Sequence, residues 1–245
     1  MRTESPDLAR NPELQVEALG DRALLLTLGS GIDPGVNDRV HQLAALLGQK
    51  RLPGVHDLVP AYATITLHYD PTAWSGKGMP PFEALSREVM RLWKKAGASA
   101  LPLPRLVEIP VCYGGDFGPD LNDVASLCSR SPEEVIARHA AASYRVYMIG
   151  FSPGFAYLGG LDTTIAAPRR STPRLMVPAG SVGIAGMQTG IYPLATPGGW
   201  QIIGQTPKRL FLPSEANPCL LHPGDRLRFV PIDAETFHAC ALEAP

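Results

Sequence analysis

The sequence predicts two folded units, a small α+β domain followed by a mainly β domain. The first prediction rests on two amphipathic helical stretches that alternate with pairs of short strands, in a ββαββα order typical of a sheet covered by helices. The second rests on residues 144–232, where short β-prone runs lie between glycine and proline turns spaced about 8–12 residues apart. Such spacing is typical of a small barrel or sandwich.

The length of 245 residues allows one or two domains with a sizeable core. We interpret residues 1–12 as a disordered tail, 13–97 as the α+β domain, 98–106 as a linker and 107–245 as the β domain. The linker contains two prolines, which cannot continue the preceding helix.

The α+β domain is predicted from turn and capping signals. Gly20 and Asp21 indicate a tight turn between two strands. Asp33 and the proline after it are typical of a helix start, and Gly48 is predicted to end that helix. The predicted elements are strands at Leu14–Leu19 and Ala23–Leu28, the helix from Asp33, strands at Val55–Val59 and Ala63–Tyr69, and a helix at Pro81–Ala96.

The β domain is predicted to begin with two helices among its strands. The sequence from Ser131 to Glu134 has the pattern of a capping box, which predicts a helix start there. The predicted elements are strands at Leu106–Tyr113 and Tyr144–Ile149, helices at 119–127 and 132–141, and short strands at Val182–Ala185, Trp200–Ile203, Arg209–Leu212 and Leu227–Val230.

Composition excludes several classes of partner. Lys and Arg (22) nearly balance Asp and Glu (23), and no stretch concentrates basic residues, so neither a nucleic acid nor an anionic membrane is expected as a partner. No apolar run is long enough to span a bilayer, and the N-terminus does not resemble a signal peptide, so we expect a cytoplasmic protein. The four cysteines and six histidines lack metal-ligand spacing, so no bound metal is expected.

Two segments combine rigid backbone with polar or aromatic side chains. In GFSPGFAYLGG (150–160), Gly154 would let the main chain approach a ligand closely, although the segment also fits a barrel corner packed by aromatic residues. PRRSTPR (168–174) holds Arg169, Arg170 and Arg174 on a segment made rigid by two prolines, and their guanidinium groups would suit a carboxylate or phosphate. A solvated charged loop is the alternative for this second segment.

Two later segments favour a small neutral or zwitterionic ligand. PAGSVGIAGMQTGIYP (178–193) contains Gln188 and Tyr192, and TPGGWQIIGQTP (196–207) contains Trp200 and Gln201. Amide and hydroxyl groups beside glycine-rich backbone would suit an amide or lactam, although Trp200 would equally serve as a core anchor. Since the sequence lacks a phosphate loop, a dinucleotide fingerprint and a nucleophile elbow, these residues alone predict a ligand or docking site rather than a self-sufficient enzyme.

These segments, together with YGGDFGPDLNDVA (113–125), YRVYMIGFSPGFAYLGGL (144–161) and HPGDRLRFVPI (222–232), resemble the KipI/PxpB family, also called allophanate hydrolase subunit 1. The resemblance covers residues 13–235. It implies that the β domain is a cyclophilin-like barrel. It also implies one of three roles: the B-type subunit of an ATP-dependent 5-oxoprolinase, a KipI-type inhibitor of a sporulation histidine kinase, or a carboxyltransferase module acting on urea.

We take the 5-oxoprolinase role as the first expectation. On that expectation Arg169 and Arg174 hold a carboxylate or phosphate, Gln188, Tyr192, Trp200 and Gln201 bind the lactam, and backbone N–H groups at Gly154, Gly198 and Gly199 are candidates for stabilising an oxyanion. ATP, with or without Mg²⁺, would be shared with a C-type subunit (KipA/PxpC-like), beside an A-type subunit (LamB/YcsF-like). No biotin is expected on this chain.

Overall fold

The computed structural model describes residues 14–76, 78–96 and 104–243. The chain divides into two compact units, residues 1–102 and 103–245. The predicted N-terminal tail and most of the predicted linker lie outside the described residues, so these two interpretations stay predictions. Within the described part of the chain, no helix is both long and apolar enough to cross a lipid bilayer.

The first unit contains a four-stranded antiparallel sheet and two long helices. Its main elements are β1 (Gln15–Ala18), β2 (Ala23–Thr27), α1 (Pro34–Lys50), β3 (Val55–Pro60), β4 (Thr64–Tyr69) and α2 (Pro81–Ala96). The strand order is β1-β2-β4-β3. Alternate residues of β2 and β4 are fully buried in one cluster with residues of both helices, so the two helices cover one face of the sheet.

Local signals explain how α1 begins, but the predicted end is wrong. The Asp33 carboxylate accepts a hydrogen bond from the Val36 N–H at 2.7 Å, which caps the first turn. The helix continues past Gly48 to Lys50, and Arg51 ends it in the left-handed conformation with φ of 45°. The Arg51 N–H donates to the Leu47 carbonyl, so the chain turns three residues later than the glycine indicates.

The second unit is a closed seven-stranded barrel with helices and a small ribbon. Its main elements are β5 (Leu106–Tyr113), α3 (Leu121–Leu127), α4 (Pro132–Ala141), β6 (Tyr144–Ile149), β7 (Ala156–Gly159), β8 (Arg174–Val177), β9 (Ser181–Ala185), β10 (Gln188–Ile191), β11 (Thr196–Gly198), β12 (Gln201–Gln205), β13 (Arg226–Ile232) and α5 (Ala234–Glu243). The barrel order is β10-β7-β6-β13-β5-β12-β9, and β8 pairs with β11 in a separate ribbon.

Two local predictions for this unit have opposite outcomes, and one helix was not predicted. The capping box at α4 is confirmed, because the Ser131 side chain accepts from the Glu134 N–H while the Glu134 carboxylate accepts from the Ser131 N–H. The strand predicted at Arg209–Leu212 is wrong, since only an isolated bridge between Phe211 and Cys219 forms there. The sequence interpretation also missed α5.

Candidate functional site

A buried carboxylate, Asp120, organises one end of the second unit. Asp120 is 2 % exposed and lies immediately before α3. One of its oxygens accepts from Arg170 at 2.8 Å and from Arg174 at 2.7 Å. The other accepts from Arg174 at 2.8 Å and from the Ile202 N–H at 2.6 Å. Both oxygens are therefore saturated, and the hydrogen bonds to Asp120 raise the pKa of Arg174.

Close backbone packing places Asp120 beside β12. The Asp120 N–H donates to the Ile202 carbonyl at 2.9 Å, and the Gly114 N–H donates to the Ile203 carbonyl at 3.1 Å. A Cβ at Gly118 would lie 2.0 Å from the Ile203 carbonyl oxygen, so only glycine allows this approach. The glycine in the loop before α3 is thus required for close packing on β12, and this packing places the Asp120 carboxylate within hydrogen-bond distance of Arg170 and Arg174.

The segment that carries the arginines is tied to the start of β12 at two points. Gln201 donates from Nε2 to the Pro168 carbonyl at 3.1 Å. The Arg170 N–H donates to the Gly199 carbonyl at 2.8 Å. The backbone of Arg169 lies between these two hydrogen bonds and is held in place. Its side chain is exposed and makes no hydrogen bond or ion pair with the described residues.

A cleft of about 610 Å³ opens beside this segment. Its lining comes from α3, from residues 168–172 and from β12: Asp123, Ser126, Leu127, Pro168, Arg169, Arg170, Ser171, Thr172 and Gln201. Two buried polar atoms of this lining have no hydrogen-bond partner among the described residues, Nε of Arg170 and Oε1 of Gln201. Buried polar atoms are normally paired, but both of these atoms have almost no accessible surface, so a ligand in the cleft would reach them only after a local rearrangement.

Tyr192 and Trp200 lie outside this lining, in an aromatic cluster with Phe155. The ring centroids of Tyr192 and Trp200 are 6.3 Å apart in an edge-to-face arrangement, and those of Phe155 and Trp200 are 6.0 Å apart. Burial raises the pKa of Tyr192, and its hydroxyl has a hydrogen bond with the Trp200 backbone. In this structure both residues pack in the interior of the unit.

Gly198 and Gly199 are next to this cluster and differ sharply in the space around them. A Cβ at Gly198 would lie 2.3 Å from the Tyr192 hydroxyl oxygen, whereas a Cβ at Gly199 would make an ordinary 3.5 Å contact with Pro173. We therefore expect Gly198→Ala to lower the free energy of unfolding by about 1–3 kcal/mol, because Tyr192 must move. Gly199→Ala is the matched control and should change it by less than about 1 kcal/mol. Denaturant unfolding measures both, and equal losses would contradict the expectation.

The remaining predicted residues are placed as follows. Gln188 begins β10 and pairs with Ala185 of β9. Gly154 adopts a φ of 79°, and a Cβ there would lie 2.9 Å from Cβ of Phe211, so this glycine has a packing reason. The Gly199 carbonyl is occupied by the Arg170 N–H. Of the predicted ligand residues, the structure brings Arg169 and Gln201 together in one cleft and directs Arg174 to Asp120.

Two buried residues, Asp120 and His139, were not predicted from the sequence, and Arg170 was named there only as part of the arginine segment. An available signal for Asp120 was the arginine-rich segment itself, because closely spaced arginines in a nearly neutral chain need a counter-ion. An available signal for His139 was its position on the apolar face of α4, four residues after the buried Val135. Neither signal identifies the residues that these side chains contact. Arg170 and Arg174, for example, are 50 and 54 residues from Asp120 in the sequence.

The chain thus combines an α+β unit with a closed seven-stranded barrel that carries a cleft with charged and polar residues in its lining. The family model described as carboxyltransferase domain, subdomain C and D, matches residues 14–221. The chain is 48% identical to the B-type subunit of 5-oxoprolinase from Bacillus subtilis over 235 residues, covering 94% of this chain and 98% of the relative. It is 44% identical to the B-type subunit of 5-oxoprolinase from Escherichia coli O157:H7, covering 87% and 94%.

The chain thus belongs to this carboxyltransferase-domain family and, within it, to the group of B-type 5-oxoprolinase subunits (KipI/PxpB), which confirms the resemblance found in the sequence. Among solved structures, the crystal structure of TTHA0988 matches with a TM-score of 0.74 and 39% identity. The match covers 87% of this chain and 40% of that one, so the relative's chain extends well beyond the shared part.

Proposed function

We propose that this chain is the B-type subunit of an ATP-dependent 5-oxoprolinase, which converts 5-oxo-L-proline, ATP and water to L-glutamate, ADP and phosphate. The observation that carries the proposal is its 48% identity to a B-type 5-oxoprolinase subunit over nearly the whole length of both chains. The cleft supports it, because its lining includes Arg169, an exposed arginine whose guanidinium group is suited to the carboxylate of an acid.

In this proposal the chain binds and orients the lactam, and its partners supply the phosphoryl chemistry. A lactam resists hydrolysis because its nitrogen lone pair is delocalised into the carbonyl group. Transfer of the γ-phosphoryl group from ATP to the carbonyl oxygen would release ADP and turn that oxygen into a good leaving group. Water would then attack the activated carbon, phosphate would leave and the ring C–N bond would break to give glutamate. The residues of this chain would hold the lactam in place. Fixing one reactant in the correct orientation toward another can supply a large part of a rate enhancement.

We further propose that ATP binds at a site shared with a C-type subunit, beside an A-type subunit. The relatives are named as subunits, which supports an assembly. The sequence contains no glycine-rich phosphate loop, so the triphosphate would depend on partner residues. Leu175 and Met176, which follow Arg174 on β8, are 92% and 69% exposed, as expected of a surface that a partner covers.

The proposal predicts that a reconstituted mixture of the A-type and C-type subunits with this chain forms glutamate from 5-oxo-L-proline in an ATP-dependent manner. Omission of this chain should abolish glutamate formation, and adding the purified chain back should restore it. The chain alone should not hydrolyse ATP when 5-oxoproline is present. Glutamate formation that is unchanged by the omission would refute the proposal, whereas turnover by the chain alone would refute the shared site.

A second candidate function is carboxyl transfer to urea, because the matching family model is described as part of a carboxyltransferase domain. This function requires carboxybiotin as the donor, whereas the lactam reaction requires ATP and no biotin. The same reconstituted mixture distinguishes the two. Urea-dependent consumption of carboxybiotin, with no glutamate from 5-oxoproline, would favour the second candidate.

A further inference from the structure

Exposed apolar side chains surround the small aromatic cluster of the second unit. Besides Phe155, Tyr192 and Trp200, this cluster includes Val177 and Ala185. Five large apolar side chains, each within two residues of a cluster member along the chain or in ring contact with one, are exposed: Phe151, Leu175, Met176, Met187 and Leu194. Exposed apolar residues that gather in one region mark an interaction site, and we call these five the apolar surface.

The two chain segments that build the apolar surface contain no charged residue. They are residues 146–161 and 175–207, in a chain of which 18% is charged. The neighbouring cation, Arg174, is paired with Asp120. The cores of protein–protein interfaces are depleted of charged residues and enriched in aromatic residues and methionine. The composition therefore favours a protein as the partner, whereas an anionic lipid surface would require basic residues.

Phe151 is held on the outside of the cluster by a strained turn. The Ser152 N–H donates to the Gly150 carbonyl at 2.8 Å, and Phe151 between them has a φ of 68°. A three-residue turn with a positive φ at its centre is the rare, strained kind, which a bulky residue seldom adopts. The ring contacts Phe155 edge to face, yet the residue is 72% exposed. Contacts within the chain do not account for this strain, which points to a function for the exposed ring.

We propose that the apolar surface is where the C-type subunit docks, with the Phe151 ring as the anchor that enters a pocket of that subunit. The inference rests on the proposed function and extends it by naming the surface. Two observations support this partner rather than a second copy of the chain. The relatives are named as one subunit of a larger enzyme. The shared part is only 40% of the TTHA0988 chain, so that relative joins a unit like this one to a larger remainder.

A matched pair of leucine variants tests the location. Leu175→Lys places a charge in the apolar surface, and Leu242→Lys places the same charge on α5, at a leucine that is 89% exposed against 92% for Leu175. Binding of the purified full chain to the purified C-type subunit is measured by titration calorimetry. Leu175→Lys should bind at least about tenfold more weakly, because its ammonium group would lose water in an apolar contact. Leu242→Lys should keep the wild-type affinity.

Three results would overturn the inference. They are unchanged affinity for Leu175→Lys, equal losses for both variants, and no binding of the wild-type chain at micromolar concentrations. Sedimentation of the chain alone tests a second copy as the occupant. Self-association that Leu175→Lys abolishes would assign the apolar surface to a dimer of this chain and overturn the choice of partner.

Phe151→Gly tests the anchor by separating binding from stability. Glycine adopts a positive φ without strain, so the variant should unfold at a temperature no lower than the wild type. Its affinity for the C-type subunit should nevertheless fall at least about tenfold, as for other aromatic anchors of interfaces. Wild-type affinity in Phe151→Gly would overturn the role of the ring.

The outcome separates this inference from the proposed function. If Leu175→Lys binds the C-type subunit like the wild type and the reconstituted mixture still releases glutamate, the function stands and the docking surface fails. If binding follows the expected pattern but no glutamate forms in the mixture, the docking surface stands and the lactam reaction fails.

Discussion

Asp120→Asn is expected to lower the free energy of unfolding of the second unit by about 3 kcal/mol, the cost typical of removing one partner from a buried ion pair. Each oxygen of Asp120 accepts two N–H groups. An Asn side chain would place its own NH₂ group against two donors whichever way it is oriented. The cost stays below that of a fully buried pair because the side chains of Arg170 and Arg174 are 33% and 26% exposed.

Chemical denaturation of the variant and the wild type measures this loss, and Asp116→Asn is the matched control. Asp116 is an exposed carboxylate in the same loop with no ion pair among the described residues, so its replacement should change the unfolding free energy by about 0.5 kcal/mol or less. A loss of under about 1 kcal/mol for Asp120→Asn would contradict the expectation, because that is the value of a surface ion pair.

The same carboxylate also fixes which arginines of the second unit are paired. Asp120 holds the segment from Pro168 to Arg174 through two of its arginines, beside the hydrogen bonds that tie the same segment to β12. Asp120 therefore anchors the arginine segment to the barrel. The distance of Asp120 from the arginines in the sequence explains why the site could be predicted only in part. The sequence identifies the arginine segment and Gln201. The carboxylate that pairs with Arg170 and Arg174 is known only from the fold.

The fold, like the site, could be predicted where it depends on contacts between residues close in sequence, and not where it depends on distant ones. The ββαββα order and the capping box at Ser131 depend on residues a few positions apart, and the structure contains both. Closure of the barrel depends on the parallel pairing of β5 with β13, in which Leu106 is opposite Arg226. No local pattern encodes that pairing. The strand predicted at Arg209–Leu212 failed for a related reason, because β propensity without a partner strand gives only a bridge.

His139 is the second residue for which we expect a large effect, here on the pH dependence of stability. It is fully buried in the second unit, and its ring stacks on Phe229 with centroids 4.4 Å apart. The Thr189 hydroxyl donates its proton to the Gly183 carbonyl, so Nε2 of His139 must donate to Thr189, and Nδ1 accepts from the Tyr113 hydroxyl. The network fits the neutral ring, and burial lowers the pKa of His139 to about 3.

The expected result is a loss of about 2 kcal/mol of unfolding free energy from this residue between pH 7 and pH 5. An unfolded histidine takes up a proton near pH 6.5, whereas folded His139 does so only near pH 3. Between these values the unfolded state binds more protons, so stability falls as the pH falls. The stabilisation is fully present above the unfolded pKa and is progressively lost below it.

His139→Gln isolates this contribution because glutamine keeps a donor and an acceptor but does not titrate. The variant should be less stable than the wild type at pH 7, since it loses the stacked ring, yet its stability should fall about 2 kcal/mol less between pH 7 and pH 5. His238→Gln, at an exposed position on α5, is the control and should keep the wild-type pH dependence. The decisive quantity is the slope of the unfolding free energy against pH. Equal slopes for wild type and His139→Gln would mean that the buried ring accepts a proton while the barrel stays folded. The hydrogen bonds with Tyr113 and Thr189 would then not hold the ring neutral.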